Sequence, residues 1–304
     1  MTVSTVTPQA ATRPQPLRNT RILSLALNLP GPAALMRCAH LGAECTKLEP
    51  PPAPGQPSAD PMGIYSPAAY ATLHAGVRVV HAHLKTPQGQ AALHEELART
   101  DVLITSFRPS ALGKLGLGWE ELQAHYPRLS LVRIVGAAAE RAEEPGHDLT
   151  YLADAGLVTG TEMPPTLYAD MGGALMASEA VLQALLERAH TGSGVCIEVA
   201  LADAAAWLAQ PRDWGLTTPD GDVGGHHAGY RIYPCADGRV AVAALEPHFA
   251  ARLCAAAGLP AMGDADVLRA AATHQAVARF LLSQTRAQLD TLAAAQDIPL
   301  HTLA

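Results

Sequence analysis

A histidine in Gly146-His147-Asp148 and a carboxylate in Asp170-Met171-Gly172-Gly173 are the residues of this 304-residue sequence best suited to move a proton. Imidazole and carboxyl groups are the common general acids and bases of proteins. Residues 174–189, after the two glycines, carry apolar side chains at helical period, so Asp170 is expected just ahead of a helix start. A helix start leaves N–H groups unpaired, and these can hold negative charge as it develops on a carbonyl oxygen. Gly172 and Gly173 would let backbone approach such a group closely. An imidazole and a carboxyl on opposite faces of a carbon beside a carbonyl form a proton-exchange pair. A carboxylate alone can instead act as a nucleophile. The combination points to an enzyme acting on an activated acyl group. A capping role is open for His147 and Asp170 as well, and Asp148 reads as the cap of a helix starting at Leu149.

Other candidates are fewer. Arg108, in Ser106-Phe107-Arg108-Pro109, leaves a buried-strand pattern and can grip phosphate in a fork. Glu246 stands before Pro247 and can start a helix or assist a nearby base. The pair His226-His227 has no third ligand at a recognised spacing, so it reads as a solvated loop and no metal is expected. Five scattered cysteines form no C-x-x-C pair and fit reduced thiols in a cytoplasmic protein. A net charge of −7 argues against a nucleic-acid partner. No apolar run is long enough to span a bilayer, so no membrane partner is expected.

These residues need elements to position them. Residues 21–27 (RILSLAL) read as a strand, 28–32 as a turn, 33–41 as a helix and 44–48 as the next strand. The turn lacks G-x-G-x-x-G, so there is no dinucleotide fingerprint. Residues 50–67, rich in Pro, Gly, Ser and Ala, read as an irregular loop. Strand patterns follow at 77–84, 101–105, 129–135 and 195–201, with helical patterns at 86–99, 119–125, 174–189 and 202–209. This alternation predicts an α/β fold with a mostly parallel sheet covered on both faces. Residues 211–229 turn polar and glycine-rich, marking a boundary. Beyond it Ala236-Asp237-Gly238 signals a hairpin, and residues 247–304 read as largely helical. The expected organisation is a loose tail over 1–20, a large α/β domain over 21–210 and a small α+β domain over 211–304.

Several fragments fall in one order over most of residues 21–260: the opening RILSLALNLPGPAALMRCAHLGAECTKLEP, then LKTPQGQAAL, ARTDVLITSFRPSALGKLGLGWEEL, GHDLTYLADAGL, LYADMGGALMASEAVLQALLERAHTGSG and YPCADGRVAVAALEPHF. In this order they resemble the family III CoA transferases (CaiB/BaiF). GHDLTYLA and LEPHF resemble its α-methylacyl-CoA racemase branch. The resemblance implies a nucleotide-binding-like large domain, a smaller domain and an interlocked homodimer whose sites draw on both subunits. It implies an acyl-CoA thioester as substrate, with no prosthetic group. By resemblance His147 and Asp170 are the two acid/base groups, Glu246 assists the histidine, and Arg108 helps to hold CoA. In the transferases the aspartate at the position of Asp170 carries the CoA instead. Racemisation of a 2-methylacyl-CoA is thus the first expectation and CoA transfer to a carboxylic acid the second. A non-catalytic CoA-binding or heterodimer-forming homologue is the third. Members usually run longer, with a final segment returning to the first domain, and this sequence ends near where that return would begin. Residues 50–61 replace the acidic-basic loop common after the second strand.

Overall fold

The computed structural model describes residues 14–261 and 264–304. The chain divides into two compact units, Met1–Leu208 and Ala209–Ala304.

The first unit is built on six parallel strands: β1 (Arg21–Ser24), β2 (Glu44–Glu49), β3 (Arg78–His81), β4 (Val102–Thr105), β5 (Ser130–Val135) and β6 (Cys196–Ala200). Their order is β3-β2-β1-β4-β5-β6, the α/β arrangement that the strand–helix alternation predicts. The sheet is wound outward from β1 in both directions, so β1 and β4 flank a switch point. Crevices at the carboxyl ends of strands form there. Both strands end in a buried hydroxyl that turns the chain. Ser24 Oγ accepts from the Ala26 N–H at 3.2 Å, and Thr105 Oγ1 accepts from the Phe107 N–H at 3.1 Å. All four residues of β4 are buried, as expected of a central strand covered on both faces.

The helix Pro30–His40 begins with Pro at its first position, where the missing N–H costs nothing. Gly31 is required there: a Cβ would lie 2.1 Å from that of Ala26 across the turn. The long helix Tyr168–Thr191 packs Ala174, Ala177, Ala180 and Val181 into the core beside Ile22, Ile104 and Val132. Arg37 Nε donates to Ser178 Oγ at 3.0 Å and ties these two helices together.

Two expectations need revision. Of the tail expected over 1–20, residues 1–13 lie outside the described residues. Leu17, however, is 1% exposed and its N–H donates to the Leu41 carbonyl at 3.0 Å, so it belongs to the core. The loop expected over 50–67 holds a helix, Pro61–Tyr65, and a second, Pro67–Leu73, begins at its end. Each has Pro at its start, preceded by Asp60 or Ser66, so the prolines that read as breakers are helix initiators. The stretch after residue 247 is largely helical, as expected, and its end adds a strand.

Asp60 is fully buried and holds three partners. Its Oδ1 accepts from the N–H of Met62 at 2.9 Å and of Asn28 at 3.0 Å, and its Oδ2 is paired with Lys47 Nζ. Lys47 is equally buried and also lies 3.0 Å from Glu49 Oε2.

The second unit is an antiparallel sheet in the order β7 (Tyr230–Cys235), β8 (Gly238–Ala243) and β9 (Leu300–Leu303). The hairpin β7–β8 turns at the expected Ala236-Asp237. β9 pairs with β8 through Val242 and Leu300, and Val240 and Thr302. The helices Pro247–Ala256, Ala271–Leu282 and Arg286–Gln296 supply Leu253, Val277, Leu281 and Leu289 to its core. His227 does not sit in a solvated loop: it is 3% exposed, and its Nδ1 accepts from the Gly229 N–H at 3.0 Å.

Replacing Lys47 by methionine leaves Asp60 and Glu49 buried without their cation. The expected cost is about 3–5 kcal/mol, the usual result of breaking a buried pair from one side. The midpoint of urea unfolding measures it.

Candidate active site

A cavity of about 170 Å³ opens at the carboxyl ends of the central strands. Pro30, Ser106, Arg108, Gly136, Gly146 and Tyr151 line it. They come from the turns after β1, β4 and β5 and from the motif around His147. Tyr151 occupies space that two glycines leave open. A Cβ on Gly136 would lie 2.3 Å from the Tyr151 hydroxyl oxygen, and one on Gly146 would lie 2.6 Å from it. Gly146 therefore serves the packing of this ring.

His147 stands in extended backbone ahead of the helix Asp148–Asp154. Its N–H donates to Thr150 Oγ1 at 3.1 Å, and the Thr150 hydroxyl donates to the His147 carbonyl at 2.7 Å. The backbone is pinned, while the exposed imidazole has no hydrogen-bond partner among the described residues. Asp148 is the first residue of that helix rather than the cap ahead of it. It is 4% exposed, and its Oδ1 accepts from the Asp170 N–H at 3.0 Å. This bond joins the two motifs, which stand 22 residues apart in sequence.

The helix that follows Asp170 starts earlier than the apolar period indicates, at Tyr168. Asp170 is consequently the third residue of the helix and not its cap. Gly172 and Gly173 lie beyond the first turn, where N–H groups are bonded within the helix. Gly173 is needed for packing, because a Cβ there would lie 2.2 Å from Leu201 Cδ2. At the helix start the N–H groups of Tyr168 and Ala169 have no partner among the described residues. Ala169 is fully buried and Tyr168 is exposed, so the Tyr168 N–H is the one open to an oxyanion.

Asp170 is 8% exposed. Burial first, then the Asp148 carboxylate, push its pKa up to about 6, against the opposing pull of a charged His147. The same charge reaches two phenols. Burial and then Asp170 raise the Tyr151 hydroxyl, while Arg108 lowers it. Desolvation, Asp60 and Asp170 raise that of Tyr65. Asp170, His147, Tyr151 and Arg108 thus share one electrostatic neighbourhood. Arg108 is exposed, and among the described residues no carboxylate pairs with it. Glu143 accepts from the Ser110 N–H at 2.7 Å and from its hydroxyl at 2.9 Å, fastening the turn that carries Arg108. Glu246 is exposed ahead of the helix Pro247–Ala256 in the second unit. Among the described residues no group of three or more His, Cys, Asp or Glu side chains could hold a metal.

Tyr151 was within reach of sequence reasoning, since it lies in GHDLTYLA. The links from Asp60 to Asn28 and to Lys47 were not: their partners are 32 and 13 residues away and no periodicity joins them.

Folded Asp170 binds its proton at about pH 6, against an ordinary value of 3.8. The folded chain therefore carries the extra proton between those limits, and stability falls as pH rises through that window. Asp170→Asn is expected to remove this slope and to be more stable than the parent above pH 6, by at most about 3 kcal/mol. Urea unfolding between pH 4 and pH 7 measures both effects.

The sequence profile of CoA-transferase family III matches residues 17–304. A succinyl-CoA–D-citramalate CoA-transferase from Chloroflexus aurantiacus is 30% identical over 93% of the chain and 73% of its own length. The alpha-methylacyl-CoA racemase of Mus musculus is 32% identical over 80% of the chain and 65% of its own length. The solved structure of a hypothetical protein (Rv3272) from Mycobacterium tuberculosis superposes with a TM-score of 0.79 at 25% identity, covering 95% of this chain and 85% of that one. With its central crevice, its buried carboxylate and a profile match over nearly the whole sequence, the chain belongs to CoA-transferase family III.

Proposed function

We propose that the chain is an acyl-CoA enzyme that exchanges the proton on the 2-carbon of a 2-methylacyl-CoA, a racemase. The observation that carries this reading is the buried Asp170 within electrostatic reach of the exposed imidazole of His147, with the unpaired N–H of Tyr168 in the same helix turn as the carboxyl. Neutral His147 takes the α-proton from one face. The electron pair moves into the carbonyl, and the enolate oxygen is held by the N–H group of Tyr168. Protonated Asp170 then delivers its proton to the other face. The opposite isomer runs the same steps in reverse, with Asp170 as base. A pKa near 6 lets Asp170 serve in both protonation states close to neutrality. Donors of this kind are commonly worth about 10²–10³ in rate. Arg108, free of a carboxylate partner, is assigned to the phosphates of CoA. The racemase relative supports this reading.

A second reading is CoA transfer. Asp170 attacks the thioester carbonyl, and the expelled CoA thiolate then attacks the resulting anhydride at the aspartyl carbonyl. A free carboxylate leaves, and an aspartyl-CoA thioester remains. Two observations favour it: of Asp170 and His147 only Asp170 is buried, and the transferase relative aligns over more of the chain than the racemase does. Both readings place the site in a homodimer. Tyr168, Met171 and Leu175 form an exposed apolar face at helical spacing, suited to cover by a second copy.

Incubation with a 2-methylacyl-CoA in heavy water is expected to place deuterium on the α-carbon, and His147→Ala to abolish it. Absence of exchange, with a hydroxylamine-cleavable CoA adduct on Asp170, would establish transfer instead. If CoA thioesters fail to raise the melting temperature, that counts against both readings and against the non-catalytic homologue alike, since a ligand bound only by the folded chain must stabilise it.

A further inference from the structure

The geometry points to Asn28 as a substrate-contacting residue, with Asp60, Lys47 and Tyr65 as the groups that position it. Its ligand would be a carbonyl oxygen of the acyl-CoA. This rests on the acyl-CoA reading above.

Asn28 lies in the turn between β1 and the helix Pro30–His40, at the switch point of the sheet. Its neighbours on both sides are tied to the cavity. Pro30 lines it, and the Leu27 N–H donates at 3.3 Å to Oγ of Ser106, which also lines it. Asn28 takes a left-handed backbone, with φ of 68°. That conformation strains most residues and is tolerated best by glycine and asparagine. It is fixed by the buried Asp60, which accepts the Asn28 N–H.

The side chain is fixed as well. Tyr65 donates its hydroxyl to Asn28 Oδ1. The helix that carries Tyr65, Pro61–Tyr65, is itself capped by Asp60 Oδ1 through the Met62 N–H. One carboxylate oxygen therefore sets both the backbone and the side-chain partner of Asn28. The other oxygen is locked by Lys47. Burying such a pair carries a hydration cost that must be met before its attraction is counted. With Oδ1 engaged, the carboxamide has its Nδ2 hydrogens left, and these have no partner among the described residues. A half-buried amide donor held in this way is suited to donate to a carbonyl oxygen. The neighbourhood is that of the buried carboxyl, because Asp170 raises the Tyr65 hydroxyl.

Asn28→Gly is the direct test, since glycine keeps the left-handed backbone and deletes only the carboxamide. Activity should fall at least about tenfold in kcat/KM for the acyl-CoA while the melting temperature stays close to the parent's. An effect smaller than twofold would overturn the assignment. Asp60→Ala should lose the same kinetic parameter, with no further loss when combined with Asn28→Gly and partial recovery in Asp60→Asn. Additive losses would remove Asp60 from the positioning role. Calorimetry with free CoA separates the two carbonyl sources. Unchanged affinity in Asn28→Gly assigns the acyl carbonyl, and weakened affinity assigns a pantetheine amide. An inactive parent protein would count against the acyl-CoA enzyme reading alone, because acetyl-CoA affinity, parent against Asn28→Gly, still decides the contact.

Discussion

The constraint on which the rest depends is the direction of winding. A parallel sheet that grows outward from β1 on both sides sends the helices after β1 and β4 to opposite faces. The turns above those two strands are left with a crevice between them. Backbone N–H and C=O groups there cannot be bonded within the sheet, and the chain answers with side chains. Ser24 and Thr105 turn their own strands, while Ser106 and Asp60 hold the turn after β1. The groups able to act on a substrate, Arg108, Tyr151 and the motif of His147, are delivered to the edge of that crevice by the following segments.

Asp170 shows how the fold sets chemistry. A carboxyl in the first turn of a helix would ordinarily be stabilised as an anion. Here desolvation and the Asp148 charge outweigh that effect, and the proton is held more tightly than in water. Asp148 also accepts the Asp170 N–H, so the charge that adds to the effect of burial is the one that places the residue. Affinity for the proton and position in space are thereby coupled through one side chain.

Much of this was legible in the residues. Buried runs such as VLIT gave the strands, because a strand covered on both faces is apolar throughout. His147, Asp170 and Arg108 stood out because few titratable residues sit at element ends. What the sequence concealed were contacts without period. The start of the helix at Tyr168 was hidden because its first turn contains Asp170 and glycines, which weaken an apolar pattern. The paired glycines suggest a close approach to a ligand, whereas Gly173 makes room for Leu201. Asp60 and Ser66 before prolines looked like loop punctuation and proved to start helices. β9 escaped notice because four residues at the end of a helical stretch carry too little alternation to announce a strand.

The full burial of Lys47 has a consequence for the chain's surface chemistry. The sequence contains three lysines, Lys47, Lys85 and Lys114, and its remaining basic charge is carried by arginine. With Lys47 sealed against Asp60 and Glu49, only Lys85 and Lys114 offer a side-chain amine to the surroundings. Thioesters acylate amines spontaneously, and guanidinium groups, which stay protonated, resist them. Two sites of adventitious lysine acylation are therefore the most this polypeptide can present while folded, and the amine most important to its architecture is not among them.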